Sequence, residues 1–252
     1  MESMTLSAED CAALIRQSAR TVAMTGAGIS TAAGIPDFRG PEGIYSSGRY
    51  DQRVFDIDYF CQDPSEFFRF TRDMLEIVKM LEPTFSHRLL ARMEAKGLLE
   101  AIITQNIDPL HHLAGSKCVV AAHGDYSTGH CMACGRRYTY EEMVALLERM
   151  DIPRCDCAAG GVIKPDVIFF GEMLREMPRA EQLARSCELM LVLGSSLVVY
   201  PVALLPQLVS GTVVVVNKGD VAIPGEPDMY VVRQDLDEYF GEVAGHLFAD
   251  CP

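Results

Sequence analysis

The chain has 252 residues, 49% of them hydrophobic, and its 22 Lys and Arg against 35 Asp and Glu give a formal net charge of −13. That is enough apolar material for one large domain, or for one domain carrying a smaller lobe, and too much for a disordered chain. The negative balance argues against a nucleic-acid backbone as a direct partner and mildly favours basic protein or peptide partners. The stretch MESMTLSAEDCAAL holds acidic residues and no apolar h-region, and nothing reaches the ~20 uninterrupted apolar residues needed to cross a bilayer, so a soluble, cytoplasmic protein with no membrane partner is expected.

In chain order, Ser7-Ala-Glu-Asp10 has the spacing of a capping box, with Asp in place of Glu, and opens a helix with Cys11, Leu14 and Ile15 on one face. Arg20-Thr-Val-Ala-Met24 reads as a strand, and TGAGISTAAGIPDFRG, residues 25–40, lies where that strand hands over to a helix. Residues 44–72 are rich in aromatics and look helical in their second half. Thr84 can N-cap a helix with Leu89, Leu90 and Met93 inward; Gly97 ends it before a strand over 101–104. Leu189-Met-Leu-Val-Leu193 and Val213-Val-Val-Val216 are continuous apolar runs, the pattern of parallel strands covered on both faces. Alternation of such runs with helices implies an α/β class with a doubly wound parallel sheet. Residues 44–72 and 125–164 depart from it and are expected to form a smaller inserted lobe, leaving 1–43, 73–124 and 165–252 to the sheet domain.

Four segments carry chemistry. Gly26 and Gly28 after a strand suit a tight turn whose backbone N–H groups approach a pyrophosphate at a helix N-terminus, or are a structural turn only. The usual dinucleotide fingerprint is incomplete: Thr31 stands where its third glycine belongs, and no acidic residue ends a second strand ~20 residues on. Asp37-Phe38-Arg39 adds an aromatic face and a bidentate phosphate donor just past Pro36. Gln105-Asn-Ile-Asp108 ends a buried strand at the carboxyl edge of the sheet, where open α/β folds bind ligands; Pro109 holds Asp108 extended. As a bland alternative it is a polar strand terminus.

His123 is the best candidate among six histidines for a general base, since an imidazole accepts a proton near neutrality. His87, His111, His112 and His246 read as core or surface, and His130, next to Cys131, as a spare metal ligand. Cys131-x-x-Cys134 and Cys155-x-Cys157, twenty residues apart, have the spacing of a zinc ribbon, whose four thiolates close a tetrahedral, structural site; free thiols are the alternative. Cys11, Cys61, Cys118, Cys187 and Cys251 read as isolated, mostly buried small hydrophobes.

Taken together, GAGISTAAGIPDFRG, Gln105 to Asp108, His123-Gly124, the cysteine pairs, Phe169-Phe-Gly-Glu172, Gly194-Ser-Ser-Leu197 and Asn217 resemble, in order and spacing, the sirtuin family of NAD-dependent protein deacylases, in its compact prokaryotic-type form. The resemblance spans nearly the whole chain. It implies a Rossmann-like domain carrying a smaller zinc-ribbon plus helical lobe, with NAD and structural zinc as cofactors and acyl-lysine proteins or peptides as substrates. The implied NAD residues are Gly26, Ala27, Gly28, Thr31, Asp37, Phe38, Arg39, Gln105, Asn106, Ile107, Asp108, Gly194, Ser195, Ser196 and Asn217, with Asp235 or Leu236 over the adenine. Within that set, Asp108 and the Ile107 backbone hold the nicotinamide carboxamide, and Gln105 and Asn106 the ribose. His123 activates a ribose hydroxyl; with Asn106 and Asp108 it forms the implied catalytic set.

Lys164 to Glu172 resembles the segment that receives the peptide as an added strand, with Ile168 and Phe170 at the acyl-lysine tunnel, Gly171 and Glu172 beside it, and Val198, Val199 and Tyr200 opposite. Without the family, Val167 to Phe170 is a buried strand. Three positions depart from the family habit: Pro109 for Gly, Ala121-Ala122 for Glu-Leu, and one residue instead of two inside the second cysteine pair. Members that prefer acidic acyl groups carry a Tyr and an Arg three residues apart on the small-lobe helix. Those positions fall here on Thr71 and Met74, which predicts a neutral acyl substrate; Tyr50 with Arg53, and Arg72, are the rival cations and phenol. Mono-ADP-ribosyl transfer and NAD binding with little turnover are the alternative activities.

Overall fold

Apolar runs too continuous to face water on either side become the centre of a parallel sheet. The computed structural model describes residues 5–37, 43, 48–222 and 229–249. Helix α1 (Ala8–Gln17) is N-capped by Ser7, whose Oγ accepts from the Asp10 amide at 3.1 Å and donates to Asp10 Oδ2 at 2.6 Å. Strand β1 (Thr21–Thr25) is buried throughout. The helix expected after Gly26 is replaced by two 3-10 turns, Ala27–Ile29 and Thr31–Ala33. The Gly28 amide is tied to the Gly194 carbonyl at 2.9 Å, which draws the backbone toward the neighbouring strand end instead of into an i to i−4 ladder.

The first insertion supplies α2 (Ile57–Gln62) and α3 (Ser65–Val78), the latter running past residue 72. Thr84 caps α4 (Phe85–Ala95), followed by β2 (Ala101–Thr104), α5 (Leu110–Leu113) and β3 (Val119–Ala121). The second insertion holds β4 (Thr128–Cys131), β5 (Arg137–Thr139), α6 (Tyr140–Leu147) and β6 (Ile163–Pro165). The chain then returns through α7 (Met177–Ser186), β7 (Leu189–Leu193), β8 (Thr212–Val216), β9 (Met229–Val232) and α8 (Leu236–Leu247).

The large sheet has the order β3-β2-β1-β7-β8-β9 with every pair parallel, so the strand order reverses between β1 and β7. Cys11, Ile15, Leu89, Leu90, Met93, Phe240 and Val243 pack on one face. Ala180, Ala184, Val202 and Leu205 pack on the other. The insertions build an antiparallel sheet, β5-β4-β6, and an aromatic core of Phe55, Phe60, Phe67, Phe68, Phe70 and Phe169. Its rings meet edge to face, as in Phe60 on Phe169 (5.3 Å, 82°), the arrangement their quadrupoles favour. The strand expected over 167–170 does not form: β6 ends at Pro165, and 167–170 is loop apart from one isolated bridge between Phe170 and Asp56, with Phe170 half exposed. Among the described residues no helix is long and apolar enough to cross a membrane.

Beneath β1 and β2, His111 Nε2 lies 2.9 Å from Thr25 Oγ1, which donates to Thr104 Oγ1 at 2.9 Å. His87 Nδ1 lies 2.8 Å from Thr84 Oγ1, and the two imidazoles are 4.7 Å apart. Both histidines are buried, and burial pulls His87 down to about 4 and His111 to about 3. Since both values lie below that of an unfolded histidine, the neutral pair stabilises the fold fully above pH ~6.5, and stability falls as pH drops from there toward 4, by up to about 1.4 kcal/mol per pH unit for each ring. Thermal unfolding of wild type and His87→Gln across pH 7.5 to 4.5 checks this: the variant loses less stability on acidification than wild type.

Candidate active-site cleft and thiolate cluster

A cleft of about 550 Å³ opens at the carboxyl edge of the large sheet, over the β1/β7 reversal. Its floor is an interlock of two loops. Gly194, at φ 63°, sits against Gly28 so closely that a Cβ on Gly28 would stand 2.7 Å from Gly194 Cα. Only glycine fits at either position, and the bare backbone this leaves suits the close approach of a phosphate-bearing ligand.

Around that floor, Gln105 Nε2 donates to Ser195 Oγ (2.9 Å), linking the ends of β2 and β7. Asn106 is buried, its Nδ2 donating to the Gly26 carbonyl (3.2 Å) and Ser30 Oγ (3.1 Å). Ser30 in turn donates to Asp108 Oδ2 (2.9 Å), and the Leu110 amide to Asp108 Oδ1 (3.0 Å). Desolvation raises the Asp108 pKa against those bonds. Sequence reasoning missed Ser30: a serine in a small-residue stretch carries no signal until the fold sets it between Asn106 and Asp108, 76 and 78 residues away.

His123 Nδ1 lies 2.9 Å from the Gln105 carbonyl. A carbonyl can only accept, so Nδ1 carries the hydrogen and Nε2 keeps its lone pair. Burial lowers the His123 pKa, partly offset by the Gln105 bond, so the imidazole is neutral at pH 7.

The cleft is lined by Gly26, Ala27, Gly28, Thr31, Asp37, Gln105, Asn106, Ile107, His123, Ile168, Phe170, Gly171, Glu172, Gly194, Ser195, Ser196, Val199, Asn217, Asp235 and Leu236, all singled out from sequence. Asp108 stands behind them, against Ser30. Phe38 and Arg39 lie outside the described residues, as does Cys251. Val198 points to solvent beside Val199 and Tyr200, of which the last two face the cleft. Thr71 and Met74 are placed elsewhere: Thr71 Oγ1 is buried between the Phe67 carbonyl (2.9 Å) and Tyr126 OH (2.7 Å), and Met74 packs on the aromatic core. Of the rival groups, Tyr50 OH donates to Asp73 (2.6 Å), Arg53 pairs with Asp51 (2.8 Å) and Arg72 donates to the Met150 carbonyl (3.0 Å).

The four sulfurs of Cys131, Cys134, Cys155 and Cys157 all lie within 4.8 Å of one another, with 131 to 157 at 3.9 Å and 134 to 155 at 3.7 Å. Tetrahedral coordination with Zn–S near 2.3 Å requires sulfurs about 3.8 Å apart, so the residues fit a zinc ion. His130 does not belong to this cluster of four; its Nδ1 pairs with Asp166 at 2.8 Å. Four thiolates leave no open position, so a zinc ion held by them would brace the β4-β5-β6 module and activate no water.

A cleft at the reversal of a doubly wound sheet, with a glycine cradle and an amide-lined floor, is that of a nucleotide-dependent α/β enzyme with a metal-braced lobe. The model of the Sir2 family matches residues 26–201, and the chain belongs to the Sir2 family. It is 48% identical over 229 residues to an NAD-dependent protein deacetylase of Thermotoga maritima, covering 89% of this chain and 91% of that one. It is 38% identical over 244 residues to one of Sulfolobus acidocaldarius, covering 95% of each. Among solved structures, Sir2 with a p53 peptide and NAD+ superposes with a TM-score of 0.86 at 41% identity, over 95% of this chain and 98% of that one. Sir2Tm bound to a propionylated peptide gives 0.86 at 40% identity, over 96% and 100%.

Metal analysis of the purified protein is expected to return about one zinc per chain, and Cys157→Ser to lower both zinc content and the melting temperature. Unchanged zinc in that variant would remove Cys157 from the ligand set.

Proposed function

We infer that the chain is an NAD-dependent protein-lysine deacetylase, transferring the acyl group of a modified lysine to ADP-ribose with release of nicotinamide. The observation that carries this reading is the convergence of His123, its Nε2 free to accept a proton, with the Gln105, Asn106 and Ile107 floor in one cleft at the sheet reversal. NAD, when bound, supplies the ribose that accepts the acyl group and the nicotinamide that departs.

In this reading the Gly26, Ala27, Gly28 and Gly194 backbone, with Ser195, Ser196 and Thr31, holds the phosphates; Asn217 holds the adenosine ribose, and Asp235 and Leu236 flank the adenine. Gln105 and Asn106 bond ribose hydroxyls without adding charge where positive charge develops. Asp108, oriented by Ser30 and Leu110, faces the carboxamide together with the Ile107 backbone. His123 takes the proton of a ribose hydroxyl. The acyl-lysine peptide lies between residues 167–172 and Val199, as an added strand whose affinity is mostly main-chain. Residues 44–72 and 125–164 form the smaller lobe on a cofactor domain of 1–43, 73–124 and 165–252.

His123→Ala is expected to cut deacetylation by about 10²- to 10⁴-fold while NAD affinity changes little. The lowered His123 pKa keeps the base form present to lower pH, so the acid limb of wild-type kcat/KM falls below the usual histidine value near 6.5. Full activity in the alanine variant rules out the mechanism. Mass spectrometry of an acetyl-lysine peptide incubated with enzyme and NAD separates deacetylation from ADP-ribosylation by the mass lost or gained.

Phe55, Ile107, Val167 and Ile168 give one end of the cleft an apolar lining; among the described lining residues the one Lys or Arg is Lys218, beside Asn217. A buried carboxylate without a partner costs several kcal/mol. A neutral acyl group is therefore the substrate, and kcat/KM for an acetyl-lysine peptide is expected to exceed that for its succinyl-lysine counterpart. The opposite order would locate a cation in the tunnel.

A further inference from the structure

Lys164, in the middle of β6, is the one Lys or Arg among the described residues whose side chain is almost wholly buried, 3% exposed. Its three ammonium hydrogens have three acceptors: Glu172 Oε2 at 2.8 Å, the Val167 carbonyl at 2.7 Å and the Pro165 carbonyl at 3.4 Å. The Phe169 ring lies over it, with its centre 4.2 Å from Nζ. Glu172 Oε2 also accepts from the Phe169 amide at 2.8 Å. The ammonium thus ties residue 167, at the start of the cleft-lining loop, to residue 172 at its end.

The same loop is held on its other edges by main chain. The Ile168 amide donates to the His123 carbonyl (2.8 Å), Phe170 to Phe55 (2.8 Å) and Ile57 to Phe170 (3.1 Å). Between these ties Ile168, Phe170, Gly171 and Glu172 line the cleft. An apolar side chain in place of Lys164 would leave the Val167 carbonyl without its donor and Glu172 with the Phe169 amide but no counter-charge. Burial pulls the Lys164 ammonium below its ordinary pKa, and Glu172 opposes that pull.

We propose that Lys164 is a positioning residue for the acyl-lysine peptide, its ion pair with Glu172 clamping residues 167–172 in the shape that receives the substrate backbone. This rests on the assignment of residues 167–172 to peptide binding. Lys164 is buried behind the loop and is not among the residues lining the cleft, so its loss is expected to act on peptide capture and to leave the nucleotide side of the cleft intact.

Steady-state kinetics with an acetyl-lysine peptide and NAD test it in Lys164→Met, Lys164→Arg, Glu172→Gln and Phe170→Ala. Lys164→Met is expected to raise the peptide KM by about tenfold or more, with kcat within about threefold and NAD KM unchanged, and Lys164→Arg to restore most of the loss. Wild-type peptide KM in Lys164→Met, or a loss confined to NAD KM or to kcat, or no recovery with arginine, overturns the proposal. Where Lys164→Met does not fold, Lys164→Gln, polar but uncharged, takes its place under the same criterion, a raised peptide KM at unchanged NAD KM; Glu172→Gln, which itself lines the cleft, is expected to raise the peptide KM as well. Phe170→Ala separates the two claims: raised KM there with wild-type KM in Lys164→Met refutes the clamp and keeps the peptide site. Wild-type KM in both refutes the site assignment itself.

Discussion

Contact between the backbone at Gly28 and the backbone at Gly194 governs the rest of the structure. Two parallel strands, β1 and β7, can be hydrogen-bonded neighbours in any α/β sheet, but here the loops that leave them also interlock, amide to carbonyl, without a side chain between. That closeness diverts the chain after β1 into 3-10 turns and places Ser30 where Asn106 and Asp108 reach it. It also leaves a bare backbone floor at the one edge where the strand order reverses. The polar residues at the ends of β2 and β7 then bond to one another across this floor, as Gln105 does to Ser195.

The division of labour between charge and neutral dipoles follows from burial. Gln105, Asn106 and Ser30 bring hydrogen-bonding capacity into a desolvated site without formal charge, and His123 is kept neutral by the same desolvation. Charge is admitted where hydrogen bonds answer it. Asp108 has Ser30 and Leu110; Lys164 has Glu172 and two carbonyls. The buried histidines behind β1 and β2 carry the same logic away from the cleft, bonded to threonine hydroxyls and uncharged.

How far the sequence could be read depends on the range of the contacts involved. The strands over 101–104 and 189–193 were legible to the residue because burial on both faces leaves no polar position to blur their ends. The caps at Ser7 and Thr84 are local and were equally plain. Ser30 and Lys164 were not, since each acts through partners the fold brings to it, and neither residue type announces its role. The helix α3 shows a different failure. Phe67, Phe68, Phe70 and Thr71 are all buried in the aromatic core, and no residue of this helix lines the cleft, so Thr71 and Met74 do not reach it. The loop after β6 is similar: its apolar run reads as a strand, but its amides are spent on His123 and Phe55, in two different directions.

The small antiparallel sheet is joined to the cleft through its central strand β4 and its edge strand β6. Strand β4 begins five residues after His123, and β6 runs directly into residues 167–172; β5 lies at the far edge, while the segment of the second cysteine pair sits at the start of β6, where the Ile163 amide donates to the Pro153 carbonyl. The segment from residue 132 to 162 is not independent of the cleft: Leu147, Ile152 and Val162 pack into the aromatic core with Phe55, Val167 and Phe169, so a change of length around them is felt by the residues that line the cleft.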